Sequence, residues 1–117
     1  MFTQEYIETI GSSIESFIES KAFLNTDFKL VTIVNESGIP AHHLTYFFNA
    51  IKETSFSDWR NALRIAHAKE LFSQGKSDNF TLESISLQSG FVTQNTFIRA
   101  FKNSTGKTPS NYLKSLS

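Results

Sequence analysis

Apolar residues recur at helical spacing along most of this chain. Over 2–20, Phe2, Tyr6, Ile7, Ile10, Ile14, Phe17 and Ile18 lie mostly three and four positions apart, which predicts an amphipathic helix. Gly11 interrupts it, at a cost of about 1 kcal/mol relative to Ala. Residues 21–29 read as a connector whose Phe23, Leu24 and Phe28 tuck against a core. Asp27 is a candidate cap for a second helix from Phe28 to Ser37, stopped by Gly38. Pro40 opens a third over about 40–53, with Leu44, Phe47, Phe48 and Ile51 at i, i+3, i+4 and i+7.

Ser55 or Ser57 can cap the next helix, with Trp59, Leu63, Ala66, Leu71 and Phe72 as its apolar set. Gly75 and the polar stretch Lys76–Asn79 end it. A short helix then carries Leu82, Ile85 and Leu87 and stops at Gly90. The next holds Phe97, Ala100 and Phe101, and Gly106 ends it. Pro109 opens a last one through Tyr112, Leu113 and Leu116.

The second half repeats the first. At a shift of 52 residues, Leu30, Ile33, Ser37 and Gly38 meet Leu82, Ile85, Ser89 and Gly90. One extra residue enters the second turn, and beyond it Leu44, Phe48, Asn49 and Trp59 meet Phe97, Phe101, Lys102 and Tyr112. Each half therefore reads as a short helix, a glycine turn, a helix with a buried pair, and an aromatic on the helix after it. That is the plan of a helix-turn-helix: the first helix fixes the angle of the second, whose outer face is free to enter a major groove. The outer positions are His42, Thr45, Tyr46 and Asn49 in the first copy, and Asn95, Ile98, Arg99 and Lys102 in the second, with Gln94 just before. Asn and Gln pair with adenine, Arg with guanine, and an apolar group meets the thymine methyl.

Charge sharpens this picture. The 117 residues balance 11 Lys and Arg against 11 Asp and Glu, which by itself argues against nucleic acid. The distribution does not. Residues 1–29 carry five acids and two bases, whereas the last 25 residues hold Arg99, Lys102, Lys107 and Lys114 and no acid. A DNA footprint needs local positive potential rather than a basic total. There is no Cys, which excludes disulfides, zinc fingers and thiol nucleophiles. No signal peptide and no 18-residue apolar run are evident, so a cytoplasmic chain without direct membrane contact is expected.

The stretch Ser89-Gly90-Phe91-Val92-Thr93-Gln94-Asn95-Thr96-Phe97-Ile98-Arg99-Ala100-Phe101-Lys102, followed by Thr105-Gly106-Lys107-Thr108-Pro109-Ser110-Asn111-Tyr112, closely resembles the signature of AraC-type DNA-binding domains. Arg64-Ile65-Ala66-His67-Ala68-Lys69-Glu70-Leu71-Phe72 is similar to the family's linker helix. The resemblance covers about residues 28–116 and implies an all-α domain of about seven helices. It implies a first unit over 28–54, a linker helix over 56–75 and a second unit over 81–117, preceded by an N-terminal helix and connector over 1–27, and one compact domain overall is expected. The recognition helices of such a domain enter successive major grooves of double-stranded DNA. Carried over by position, His42, Thr45, Tyr46, Gln94, Asn95, Ile98 and Arg99 face bases. Thr93, at the opening of the second recognition helix, is a phosphate candidate, and Lys102 and Lys107 join it by their place beside the reading face. RNA polymerase is a further candidate partner, and in longer members a sensor or membrane part lies upstream. Two departures stand out. Val34 occupies the usual alanine position, and the first reading face has neither Lys nor Arg.

Other readings carry less. His42 and His43 are adjacent and point to different sides of a helix, so they form no metal pair at i, i+3 or i+4. His67 is expected in solvent, and Arg64 in a structural ion pair or cap rather than on DNA. Ser73-Gln74-Gly75-Lys76 fits S-x-x-K without any supporting motif, and Asn35, Asn79 and Asn103 form sequons that matter only in a secreted protein. No cofactor and no enzymatic reaction is expected. The rival reading is a helical protein-interaction module that has kept the fold and lost specific DNA readout.

Overall fold

The computed structural model describes residues 2–75 and 81–116. The stretch Lys76–Asn79, with the lysine of the S-x-x-K match and the sequon at Asn79, lies outside the described residues. Among the described residues there are seven α-helices and no strand. The chain divides into two compact units, Met1–Trp59 and Arg60–Ser117.

In the first unit, α1 spans Gln4–Glu19. Thr3 starts it by accepting a hydrogen bond from the Tyr6 amide at 3.1 Å, so the helix begins two residues later than the apolar pattern suggests. Ile10 and Ile14 are its buried residues. Gly11 does not break it. A 3₁₀ turn, Ala22–Leu24, buries Phe23 in the connector. α2 spans Leu30–Ser37 rather than starting at Phe28, and Asp27 does not cap it. The Thr32 hydroxyl instead accepts from the Lys29 amide at 3.1 Å and donates to the Asp27 carbonyl at 3.4 Å. Phe28 thereby turns inward and is 2% exposed.

The third helix is not a uniform α-helix over 40–53. α3 spans Ala41–Tyr46 and continues as a π-helical turn over Phe47–Ile51, with the Lys52 amide donating to the Phe47 carbonyl at 3.1 Å. Two adjacent rings are buried in the widened turn. Phe47 is seated near Gly11 of α1, while Phe48 lies 5.7 Å from the Phe56 ring and 5.0 Å from the Trp59 ring. Ser55, not Ser57, caps α4 (Phe56–Ser73), accepting from the Asp58 amide at 3.0 Å.

In the second unit, α4 buries Arg64, Ile65, Ala68 and Phe72, whereas Ala66 is exposed. The apolar stripe runs through Ile65, Ala68 and Phe72, at i, i+3 and i+7, rather than through Ala66, and Arg64 is buried beside it. His67 is half-buried and has a partner, contrary to the expectation of a solvated residue. α5 (Leu82–Gln88) is capped by Thr81 and α6 (Gln94–Thr105) by Thr93. α7 (Pro109–Ser115) is capped by Thr108. Ile65, Ala68, Phe72, Ile85, Phe91, Phe97 and Phe101 form the core, with Tyr112 and Leu113 packed against it. Leu87 is 58% exposed and takes no part.

The repeat seen in the sequence holds in the packing of each unit. Ile33, Leu44 and Phe48 are buried in the first, and Ile85, Phe97 and Phe101 in the second. The Phe48–Trp59 centroid separation of 5.0 Å is echoed by 5.2 Å for Phe101–Tyr112. Gly38 and Gly90 have φ of 78° and 96°, the left-handed backbone that a side chain strains. At Gly38 nothing lies within 4 Å of an added Cβ, so backbone conformation, not crowding, demands the glycine. The matched serines have diverged. The Ser37 hydroxyl donates to the Ile33 carbonyl at 2.6 Å and accepts from the Ile39 amide at 3.1 Å. The Ser89 hydroxyl is fully buried and has no hydrogen-bond partner among the described residues.

Two stability outcomes follow, both read by urea unfolding. At Gly11 an added Cβ meets only the Phe47 ring tip, at an ordinary 3.9 Å. Gly11→Ala therefore stabilises by about 1 kcal/mol, the helix-propensity difference. Ser37→Ala costs about 1 kcal/mol or more, because it leaves the Ile39 amide unpaired, whereas Ser89→Ala is neutral or stabilising. Equal losses at the two serines contradict this account.

Candidate nucleic-acid interface

Each unit presents the outer face of its second helix. In α6 the inward residues Phe97 and Phe101 are fully buried. Gln94, Asn95, Arg99 and Lys102 are exposed, and Ile98 is half-buried. Phe97 packs on Phe91 at 5.4 Å, and Phe101 on Phe72 at 5.8 Å and Tyr112 at 5.2 Å, all outside α6, so the helix is held against rotation about its axis. The polar residues of the face therefore keep a fixed bearing.

Thr93 begins this helix. Its hydroxyl accepts from the Thr96 amide at 3.1 Å and shares a 2.7 Å hydrogen bond with the Thr96 hydroxyl. The shared bond uses one of the two hydroxyl hydrogens and leaves the other to donate outward. Thr96, which the sequence reading passed over, is thus an equal partner at this position. Val92, directly before the cap, is 73% exposed. Lys107 is pinned through its backbone. Its amide donates to Thr105 Oγ1 at 3.1 Å, and the single hydrogen of that hydroxyl is shared between the carbonyls of Phe101 at 2.9 Å and Lys107 at 3.0 Å, while the residue stays exposed.

The first face is built differently. His42 and Thr45 are exposed and Tyr46 is 38% exposed. Tyr46 is covered on one side by Phe2, whose ring lies edge-on to it at 5.0 Å. Phe2 also meets His43 at 4.6 Å, and the Tyr6 hydroxyl and His43 Nδ1 share a 2.7 Å hydrogen bond. His42 packs edge-on against His43 at 4.4 Å. Two of the three expected reading residues, His42 and Tyr46, thus touch an aromatic cluster that begins outside the repeat. Tyr6 and His43 are 37 positions apart, so no local pattern announces the contact.

Arg64 is not part of either face. It is 3% exposed and its guanidinium lies 5.6 Å from the Phe91 ring centroid. Burial, and secondly the charge of Arg60, lower its pKa to about 10. A base with a depressed folded-state pKa opposes folding at all pH values below that pKa. The packing of its stem and its partners must outweigh the effect at neutral pH.

Two units, each with a left-handed glycine turn and an exposed second helix, define a tandem helix-turn-helix protein. A family model described as a helix-turn-helix domain matches residues 33–115, and the chain belongs to that AraC-type family. It is 27% identical over 105 residues to the probable transcription factor PqrA of Proteus vulgaris, covering 90% of this chain and 84% of that one. It is 38% identical over 58 residues to the HTH-type transcriptional regulator RipA of Corynebacterium diphtheriae, covering half of this chain but only 16% of that one. A Listeria innocua protein of unknown function has a similar structure, with a TM-score of 0.78 at 30% identity, covering 91% of this chain and 95% of that one. The DNA-binding domain of AdpA, solved in complex with a target DNA, shares the fold at a TM-score of 0.74 and 13% identity, covering 90% of this chain and 89% of that one.

Arg64→Ala is expected to lower unfolding stability by about 2–4 kcal/mol, on the scale of emptying a large buried site. Arg64→Met, which keeps the stem's volume, costs less. Circular dichroism on urea titration checks the order of the two variants, and an equal loss from both contradicts it.

Proposed function

We propose that the chain is a sequence-specific, double-stranded DNA-binding domain of a transcription regulator. The observation that carries the reading is the α6 face, where Gln94, Asn95, Arg99 and Lys102 stand exposed on a helix locked by Phe97 and Phe101. Membership of the helix-turn-helix family and the transcription-factor names of its relatives support it. In this reading each recognition helix enters a major groove. Arg99 pairs with guanine, Gln94 and Asn95 with adenine, and Ile98 meets a thymine methyl. Thr93, Lys102 and Lys107 hold phosphates, and these contacts supply affinity without sequence information. His42, Thr45 and Tyr46 read the first half-site.

The same reading places the protein with DNA in the cytoplasm, with no metal, cofactor or reaction. RNA polymerase and a sensor region are its proposed protein partners. No helix among the described residues is long and apolar enough to cross a membrane. The balanced total charge and a first face without Lys or Arg favour a second reading, a protein-interaction module that has lost DNA readout.

A salt titration separates the two. Duplex binding should weaken steeply with salt, with a slope of log affinity on log salt of about −0.9 per phosphate contact. No duplex binding at roughly 50 mM salt favours the interaction module. In a randomised-site selection, Arg99→Ala should lose about 1–3 kcal/mol of discrimination at one base pair. An unchanged preference contradicts the assigned role of Arg99. Lys102→Ala should weaken all duplexes alike and reduce the salt slope by about 1.

A further inference from the structure

The aromatic cluster on α3 is a junction between the first reading face and a segment that precedes the repeat. Phe2 lies before the cap of α1 and Tyr6 in its first turn, and both fall outside the matched residues 33–115. The Phe2 ring meets His43 and Tyr46, which are three positions apart and so adjacent on one side of α3. Its planes cross theirs at 60° and 87°, edge-to-face arrangements that favour particular ring orientations over loose apolar contact. Tyr6 joins the cluster, 5.2 Å from Phe2 and hydrogen-bonded to His43 at 2.7 Å. His43 in turn supports the ring of His42 at 4.4 Å.

We propose that Phe2 and Tyr6 are positioning residues for DNA readout by the first unit, fixing the side chains of Tyr46 and His42 before duplex DNA arrives. This rests on the DNA-binding reading above. A first face without Lys or Arg has no long cationic side chain to reach for a base. Its specificity must come from short or planar side chains, which discriminate only if held in place. Rotamers ordered in advance are not ordered again at binding, and the affinity retains that difference. Thr45, on the same helix, takes no part in the ring cluster and serves as an internal control.

The test uses the full chain and a duplex library with a randomised centre. Tyr46→Ala and Arg99→Ala first assign the base pairs read by each unit. Phe2→Ala should then weaken the best wild-type duplex by roughly 2- to 10-fold, the scale of freeing one or two side chains. Its altered preference should be confined to the base pairs assigned to Tyr46, and Phe2→Tyr, which keeps the ring, should restore it. In double-mutant cycles Phe2→Ala should be non-additive with Tyr46→Ala and additive with Thr45→Ala. A loss spread equally over both half-sites, full additivity with Tyr46→Ala, or a gain in affinity overturns the proposal; a gain makes Phe2 a cover over the face. A DNA-free measurement runs beside these. Acetylation of Tyr46 by N-acetylimidazole, located by mass spectrometry, should be faster in Phe2→Ala than in wild type or Phe2→Tyr. An unchanged rate overturns the positioning role whatever the DNA result. A wild-type chain that selects no duplex instead refutes the DNA-binding reading, and the readout role with it, while the acetylation rate still shows whether Phe2 holds Tyr46.

Discussion

The packing of one short helix on the next, across a left-handed glycine, is the constraint on which each unit depends. Ile33 against α3 and Ile85 against α6 are fully buried, and the helices that follow present the residues opposite their buried pair. Burying side chains such as Leu44, Phe48, Phe97 and Phe101 is worth about 1.5–3 kcal/mol each. That is ample to hold a short helix that would not persist alone in water. Once the inner pair is fixed, helical geometry fixes the outer face. The polar surface of α6 is therefore a consequence of its core: any rotation that moved Arg99 would expose Phe97 or Phe101.

The two copies meet this constraint with different chemistry. The second uses a run of rings, Phe91, Phe97, Phe101 and Tyr112, with successive centroids 5.2–5.6 Å apart, behind a regular helix. Its outer face is left to polar and cationic side chains. The first must bury two adjacent phenylalanines, and an α-helix sets neighbouring residues about 100° apart. Both are buried in a π-helical turn, and the regular part of α3 ends at Tyr46. The remaining exposed turn is short and aromatic, and Phe2 and Tyr6 pack on it. One copy offers charge on a long rigid helix, the other a small surface braced from α1.

Much of this was legible in the residues. Helical spacing located the seven helices to within a few positions, because core burial imposes its period on any sequence that folds this way. The repeat at 52 residues, with one insertion, foretold which pairs are buried, and the glycines marked both turns. Gln94, Asn95 and Arg99 were legible as exposed because they sit opposite Phe97 and Phe101 on a regular helix. Spacing alone did not reveal that Ile65 and Ala68, rather than Ala66, line the buried side of α4, or that the helix widens after Tyr46. Arg64 is buried beside Ile65 in α4, and Phe47 and Phe48 are both buried in the π-helical turn.

The amino-acid sequence by itself thus determined the class of fold, the internal repeat, the buried pairs and the exposed face of α6. Each of these is set by residues within a turn or two of one another, where spacing translates directly into geometry. Tertiary structure alone decided the surroundings of the first face. Tyr6 and His43 meet across 37 positions, Phe2 reaches Tyr46 from before α1, and the Ser89 hydroxyl is buried with no hydrogen-bond partner among the described residues, unlike that of its counterpart Ser37. Such contacts join side chains distant along the chain, and their distances exist only once the helices have packed.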